Sequence, residues 1–385
     1  MKKNLYLDYA ATAPLSDSTK NYIIQILDTF GNPSSAYSAG EKARTLISDA
    51  RTAIAEFIHA DADTIYFTCG GSAANTLAIR GYAMRHPLCQ IFYAPAAHKS
   101  IIECISCLDC TNTSIKTDTI KTDREGFLDL DHLDSLCRMA YEHKKQPFAV
   151  IDYANSEIGT IQDIKKIIEI VHRYHGILYL DCTGSISSIP LNIRRLNIDM
   201  CGFSAHKLGA LKGCGVFFKK KEIELEPLVY GNQEQGIIGG TENVLGIASL
   251  YHVVKNYDYS AVNSDGRDYV LNYITEHITD TYLIGSKTHR LPNNLYLCFQ
   301  GIEGEAFMIL LDMNGIQIST GSACNSRTFV PSPALLAIGM DKDDLHSCIR
   351  ITFSGKEEKK ELDYLCHTLK SCIDMLRNLN KKTIR

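Results

Sequence analysis

The chain has 385 residues, of which 45% are apolar and 22% charged. That is the make-up of an ordinary soluble globular protein, too long for one hydrophobic core, so a large and a small domain are expected. A formal net charge of -4 gives no reason to expect direct nucleic acid binding, and no stretch approaches a membrane span or a signal peptide, since Asp8 interrupts the start before any sufficient apolar run.

The 14 cysteines are scattered through strand-like and helix-like segments, as suits reduced thiols of a cytoplasmic protein better than a secreted disulfide framework. In chain order, the residues Leu5-Tyr6-Leu7-Asp8 read as a short strand that breaks at Pro14, and helical patterns follow at about 15 to 30 and 39 to 59. Next, 64–68 reads as a strand, Gly70-Gly71-Ser72 as a tight turn and 73–84 as a helix. Strand, glycines, hydroxyl and helix make a phosphate-cradling order, although a plain strand-to-helix turn reads the same way. Strands then recur near 90–94, 113–117, 147–152, 177–181 and 198–203, mostly with helices between them. Repeated alternation implies a mainly parallel sheet whose ligand site lies at the strand ends, where His98, Asn155, Asp181 and Lys207 fall.

Lys207 lies in Ser204-Ala205-His206-Lys207, a polar, glycine-bounded turn between a buried-looking strand and its hairpin partner at 213–218. A lysine desolvated there is a candidate Schiff-base former. With Asp181 for a pyridine nitrogen, His98 to lie on a ring and a phosphate cup, these are the parts that pyridoxal phosphate requires; no metal is expected. Near 255 the pattern changes, and the domain boundary is placed there: a large domain over 12–255, and a small one over 1–11 and 256–385. Cys104, Cys107 and Cys110 have a spacing reminiscent of an iron–sulfur run, but on a helix they would not share one face, and they read as buried small hydrophobes.

Nearly the whole chain resembles the NifS-like cysteine desulfurases, fold-type I pyridoxal phosphate enzymes. The likeness runs through Phe30-Gly31-Asn32-Pro33, Asn155-Ser156-Glu157-Ile158-Gly159, Ser204-Ala205-His206-Lys207 and Ser319-Thr320-Gly321-Ser322-Ala323-Cys324. It implies an α/β large domain with a mainly parallel sheet of the seven-stranded type and a small α+β domain. By that resemblance Lys207 binds pyridoxal 5'-phosphate covalently, and Ser204 and His206 hold its phosphate with Gly71 and Ser72. Thr241 reaches the phosphate of the partner subunit in a homodimer. His98 stacks on the ring and moves protons, Asp181 meets the ring nitrogen, and Asn155 faces the ring oxygen and the substrate. Arg350 takes the carboxylate of L-cysteine, and Cys324 accepts its sulfur as a persulfide for a sulfur-acceptor protein, in iron–sulfur cluster assembly or tRNA thiolation. A C–S or selenocysteine lyase is the alternative enzyme, and a degenerate non-catalytic scaffold the alternative of another class. The chain departs from the family at Ser72-Ala73, at Thr76, in 233–239 and at Gly184, which stands where a glutamine would contact the ring oxygen. Gly184→Gln is expected to restore that donor.

Overall fold

The computed structural model describes residues 4–110, 115–320 and 332–383. A seven-stranded sheet is built from β1 (Ile65–Thr68), β2 (Cys89–Tyr93), β3 (Lys116–Thr119), β4 (Gln146–Asp152), β5 (Ile177–Asp181), β6 (Met200–Ser204) and β7 (Gly215–Lys219), in the order β1-β7-β6-β5-β4-β2-β3. The pairs from β6 across to β3 are parallel, while β7 runs antiparallel to both β6 and β1. Every residue of β1, β6 and β7 is buried, as expected where both faces of a sheet are covered. The exception is β3, Lys-Thr-Asp-Thr, which is largely exposed. It runs from 116, and the first two residues of the expected strand, 113 and 114, lie outside the described residues; a polar strand of this kind suits a sheet edge, where it discourages pairing with another chain.

The covering helices follow from their apolar spacing. In Ile164–Arg173 the residues Ile164, Ile167, Ile168 and Val171 are buried at helical intervals, and Asp163 caps the start by accepting from the Lys166 N–H. The expected helix over 73–84 is interrupted. It runs as Gly71–Thr76, a π-turn Leu77–Gly81 and Tyr82–Arg85, and its first turn sits against the ends of the central strands.

One hydrophobic cluster, from Ile47 to Val254, surrounds this sheet. A second contains Leu7 together with residues between Val270 and Ile373. It surrounds an antiparallel sheet of Thr281–Leu283, Asn294–Phe299 and Cys348–Thr352. Leu5–Tyr6 pairs in parallel with Ile316–Gln317, and this pairing carries the N-terminal residues across to the second cluster. Among the described residues no helix is long and apolar enough to cross a membrane.

Candidate active site at the strand ends

A cavity of ≈ 200 Å³ opens at the carboxyl ends of β4, β5 and β6, the position at which open parallel sheets bind ligands. Its wall includes Gly71, Ser72, His98, Asn155, Asp181, Ser204, His206 and Lys207. Residues spread over 137 positions of sequence are therefore brought together by the strand order. Thr241 is exposed and Arg350 buried, and neither lines the cavity. Cys324 lies outside the described residues.

At one end hydroxyls converge on a glycine. Gly71 donates its N–H to Ser204 Oγ at 2.7 Å. A Cβ on Gly71 would stand 2.7 Å from Thr183 Oγ1 and 2.9 Å from Ser204 Oγ, so any larger residue would fill the space these groups share. Thr183 Oγ1 is itself buried with no partner among the described residues. An orphan hydroxyl beside a second one, in a recess kept open by glycine, fits the oxygens of a bound phosphate.

His206 and Lys207 also line the cavity, from the 3₁₀ turn Ala205–Leu208 that follows β6. Burial, then Lys207 and Lys212, push the His206 imidazole down to about 4; it is uncharged at neutral pH and hydrogen-bonded through Nδ1 to Thr12 Oγ1 at 3.1 Å. The Lys207 ammonium donates to the carbonyls of Ala10 and Ala11, the latter at 2.9 Å.

Asp181 sits in a buried network. Asn75 Nδ2 donates to Asp181 Oδ2 and to Ser100 Oγ, each at 2.9 Å, while Asn75 Oδ1 accepts from the Tyr179 hydroxyl at 2.6 Å. The other carboxylate oxygen accepts the Thr183 N–H at 2.8 Å. Ser100 extends the network to His98: its N–H donates to His98 Nδ1 at 3.2 Å, and its hydroxyl lies 2.8 Å from the same nitrogen. A nitrogen that accepts an amide N–H carries no proton, so the neutral His98 ring bears its hydrogen on Nε2.

Asn155 is occupied locally. Its Oδ1 accepts the N–H groups of Glu157 and Ile158, each at 3.0 Å, and its Nδ2 donates to Ala96 O at 2.7 Å. The amide thus shapes the turn of Asn-Ser-Glu-Ile-Gly as well as facing the cavity. Gly184 corrects the expectation attached to it. A Cβ there would lie 2.6 Å from the Ala154 carbonyl oxygen and 3.2 Å from Ser156. The glycine lets this turn close against it, so glutamine at this position forces the backbone apart instead of restoring a donor.

Arg350 pairs with Asp8 (Nη2 to Oδ1, 2.9 Å), touches Ser156 O at 3.3 Å through Nη1, and leaves Nε buried with no partner among the described residues. Both described ends of the segment that holds Cys324 are tied to this region. Ser319 exchanges backbone hydrogen bonds with Arg350, and the Ser332 hydroxyl donates to Glu157 on the cavity wall. Cys104 is half-buried against the main core, and burial pushes its thiol up to about 11. Cys107 is exposed, which corrects the reading of it as a buried hydrophobe; the Cys110 side chain lies outside the described residues.

Sequence reasoning did not single out Asn75, Ser100, Asp152 or Glu157. Asn75 is a polar residue in an alanine-rich first turn, and a strand-end rule applied to β4 would have reached Asp152 before Asn155.

The chain matches the aminotransferase class-V family model over residues 5–365. It is 34% identical to the cysteine desulfurase IscS of Dictyoglomus turgidum, over 99% of this chain and 97% of that protein. Among solved structures it is similar to a NifS-like protein (TM-score 0.87, 25% identity, 97% of this chain and 100% of that one). It is also similar to SspA in complex with cysteine (TM-score 0.79, 25% identity, 92% of this chain and 100% of that one).

Proposed function

The chain belongs to the aminotransferase class-V family, and from that premise we propose that it is a cysteine desulfurase, turning L-cysteine into L-alanine and passing the sulfur to a protein acceptor. One observation carries the reading: a lysine, a doubly hydrogen-bonded aspartate, a histidine of set tautomer and a hydroxyl-lined recess share one cavity. The family implies pyridoxal 5'-phosphate. When bound, that group supplies an electron sink for the charge left on the substrate's α-carbon.

The residues present fit it. Lys207 would hold it covalently, exchanging the main-chain carbonyls of Ala10 and Ala11 for that bond. Ser72, Ser204, Thr183 and neutral His206 would meet the phosphate, to which an uncharged imidazole adds a hydrogen bond without a further positive charge beside Lys207. Asp181, fixed in place by its two donors, would meet the ring nitrogen. His98, with Nε2–H available, would cover the ring and take part in moving protons, and Asn155 would stand at the ring's oxygen and the substrate. Arg350 has the fork that a substrate carboxylate needs, and its Nε, with no partner among the described residues, leaves donor capacity beyond Asp8. Cys324 is the nucleophile in this proposal. It lies five residues from Ser319, which extended chain spans in about 18 Å at most, and its thiolate would take the substrate sulfur and leave as a persulfide. Residues 12–255 would form the cofactor domain, and 1–11 with 256–385 the small one. Thr241, off the cavity wall in one chain, would serve the partner's phosphate in a homodimer, and the enzyme would work in the cytoplasm.

Incubation with pyridoxal phosphate and L-cysteine tests this. Alanine should form, with one extra sulfur on the Cys324 peptide by mass spectrometry, and Cys324→Ser should abolish both while leaving the cofactor spectrum intact. Sulfide and alanine formed undiminished by Cys324→Ser would favour the lyase reading instead, and no alanine from the loaded wild type would favour the scaffold.

A further inference from the structure

Two carboxyl groups stand side by side in the cavity. Asp152 closes β4, Asp181 closes β5, and the two are partners in the strand register; both line the cavity. Neighbouring strands lie about 4.8 Å apart, and carboxylates so close in a partly desolvated site resist ionising together.

Their surroundings are unequal. Asp181 has a short hydrogen bond to each oxygen, from Asn75 Nδ2 at 2.9 Å and from the Thr183 N–H at 2.8 Å. Asp152 Oδ2 is approached by Asn155 Nδ2 only at 3.5 Å, and that amide has its better partner in the Ala96 carbonyl at 2.7 Å. Asp152 Oδ1 is sealed from solvent and has no partner among the described residues. A carboxylate oxygen left without a donor is costly to bury, whereas a protonated one is itself a donor.

We propose that Asp152 is a further residue of the cofactor site: the carboxyl of the pair that keeps its proton and offers it as an O–H donor to an oxygen acceptor on the bound group. The pair then carries one negative charge, on Asp181. This rests on reading the cavity as a pyridoxal phosphate site, and the acceptor class is an aryl oxygen such as that group's phenolic oxygen. Beside it the wall offers that oxygen no side chain at Gly184, and from Asn155 only the second N–H of an amide whose first is held by Ala96. The charges around Asp152 agree. Burial first, then Asp181 and also Glu157, hold its carboxyl well above the usual range, against Asn155 and the His98 backbone. His98, His206 and Lys207 face the same cavity from the turns after β2 and β6.

The test has two arms. In cofactor-free protein carrying carbon-13 in its aspartate carboxyls, the Asp152 resonance is assigned by its loss in Asp152→Asn. It should hold its protonated position at about pH 6, where ordinary aspartates are ionised. Pyridoxal phosphate itself is then titrated into wild type, Asp152→Asn and Asp152→Ala. Asparagine keeps a neutral donor and should bind within about threefold of wild type, while alanine loses it and should bind about tenfold more weakly. An ionised Asp152 resonance at that pH overturns the proposal, and so does equal weakening by asparagine and alanine. If wild type takes up no pyridoxal phosphate, the reading of the cavity fails and the donor role with it, whereas uptake with no difference between wild type and Asp152→Ala overturns this inference alone.

Discussion

The two sides of the cavity are held in different ways. On the strand side Asp181 has a donor on each oxygen, and Asn75 joins it to Tyr179, Ser100 and His98 within one buried network. The cations, Lys207 on the cavity wall and Arg350 off it, rest instead on the N-terminal segment, Lys207 on the carbonyls of Ala10 and Ala11 and Arg350 on Asp8. The network around Asp181 needs no incoming group to be complete. The cationic side holds contacts that a covalent partner or a substrate carboxylate can replace. Groups that orient are locked in advance, and groups that change partners are satisfied only by exchangeable contacts.

Arg350→Lys should break the cationic side most sharply. A lysine keeps the charge beside Asp8 but loses the planar fork, so KM for cysteine should rise about 30–100-fold with kcat changed far less; steady-state kinetics of alanine formation would show it. An unchanged KM would mean that Asp8 alone is the purpose of Arg350.

Asn75→Ala addresses the strand side. It strips one donor from Asp181 and leaves the buried Tyr179 hydroxyl without its acceptor, which should lower stability by about 1–3 kcal/mol. Urea unfolding of the cofactor-free protein measures this, and cofactor affinity should fall alongside it. A variant as stable as wild type would mean that the network is not what fixes Asp181.

A smaller effect sharpens the contrast through pH. The folded His206 lies at about 4 against an ordinary 6.5, so between those values the unfolded chain binds a proton that the folded chain refuses. Its contribution to stability is therefore lost as pH falls from about 6.5 toward about 4. His206→Gln should flatten the acid side of the stability profile across that window, and an unaltered slope would contradict the buried, neutral assignment.

Much of this was legible along the chain because strand-end polar residues announce themselves: Asp181 and Ser204 close apolar runs, and Lys207 sits in a polar turn between two of them. What was not legible depends on register and on helix placement. The adjacency of Asp152 and Asp181 exists only because β4 and β5 pair in register, and nothing in either strand alone states that register. Asn75 looks like a surface polar residue until the helix that begins at Gly71 is laid against the strand ends. Gly184 shows the opposite error: a missing side chain was read as a lost donor, whereas the Ala154 carbonyl occupies the space where a side chain would begin. Arg350 was reached through the family resemblance, but its partner Asp8, 342 residues away, was not.

The most direct measurement is covalent capture on the cationic side. Pyridoxal phosphate is bound to the wild-type protein, reduced with borohydride, and the digest mapped by mass spectrometry, with Lys207→Ala treated in parallel. The label should fall on the peptide carrying Lys207 and be absent from the variant, which should also make no alanine; label on a different lysine, or undiminished in Lys207→Ala, would contradict the assignment of this cavity.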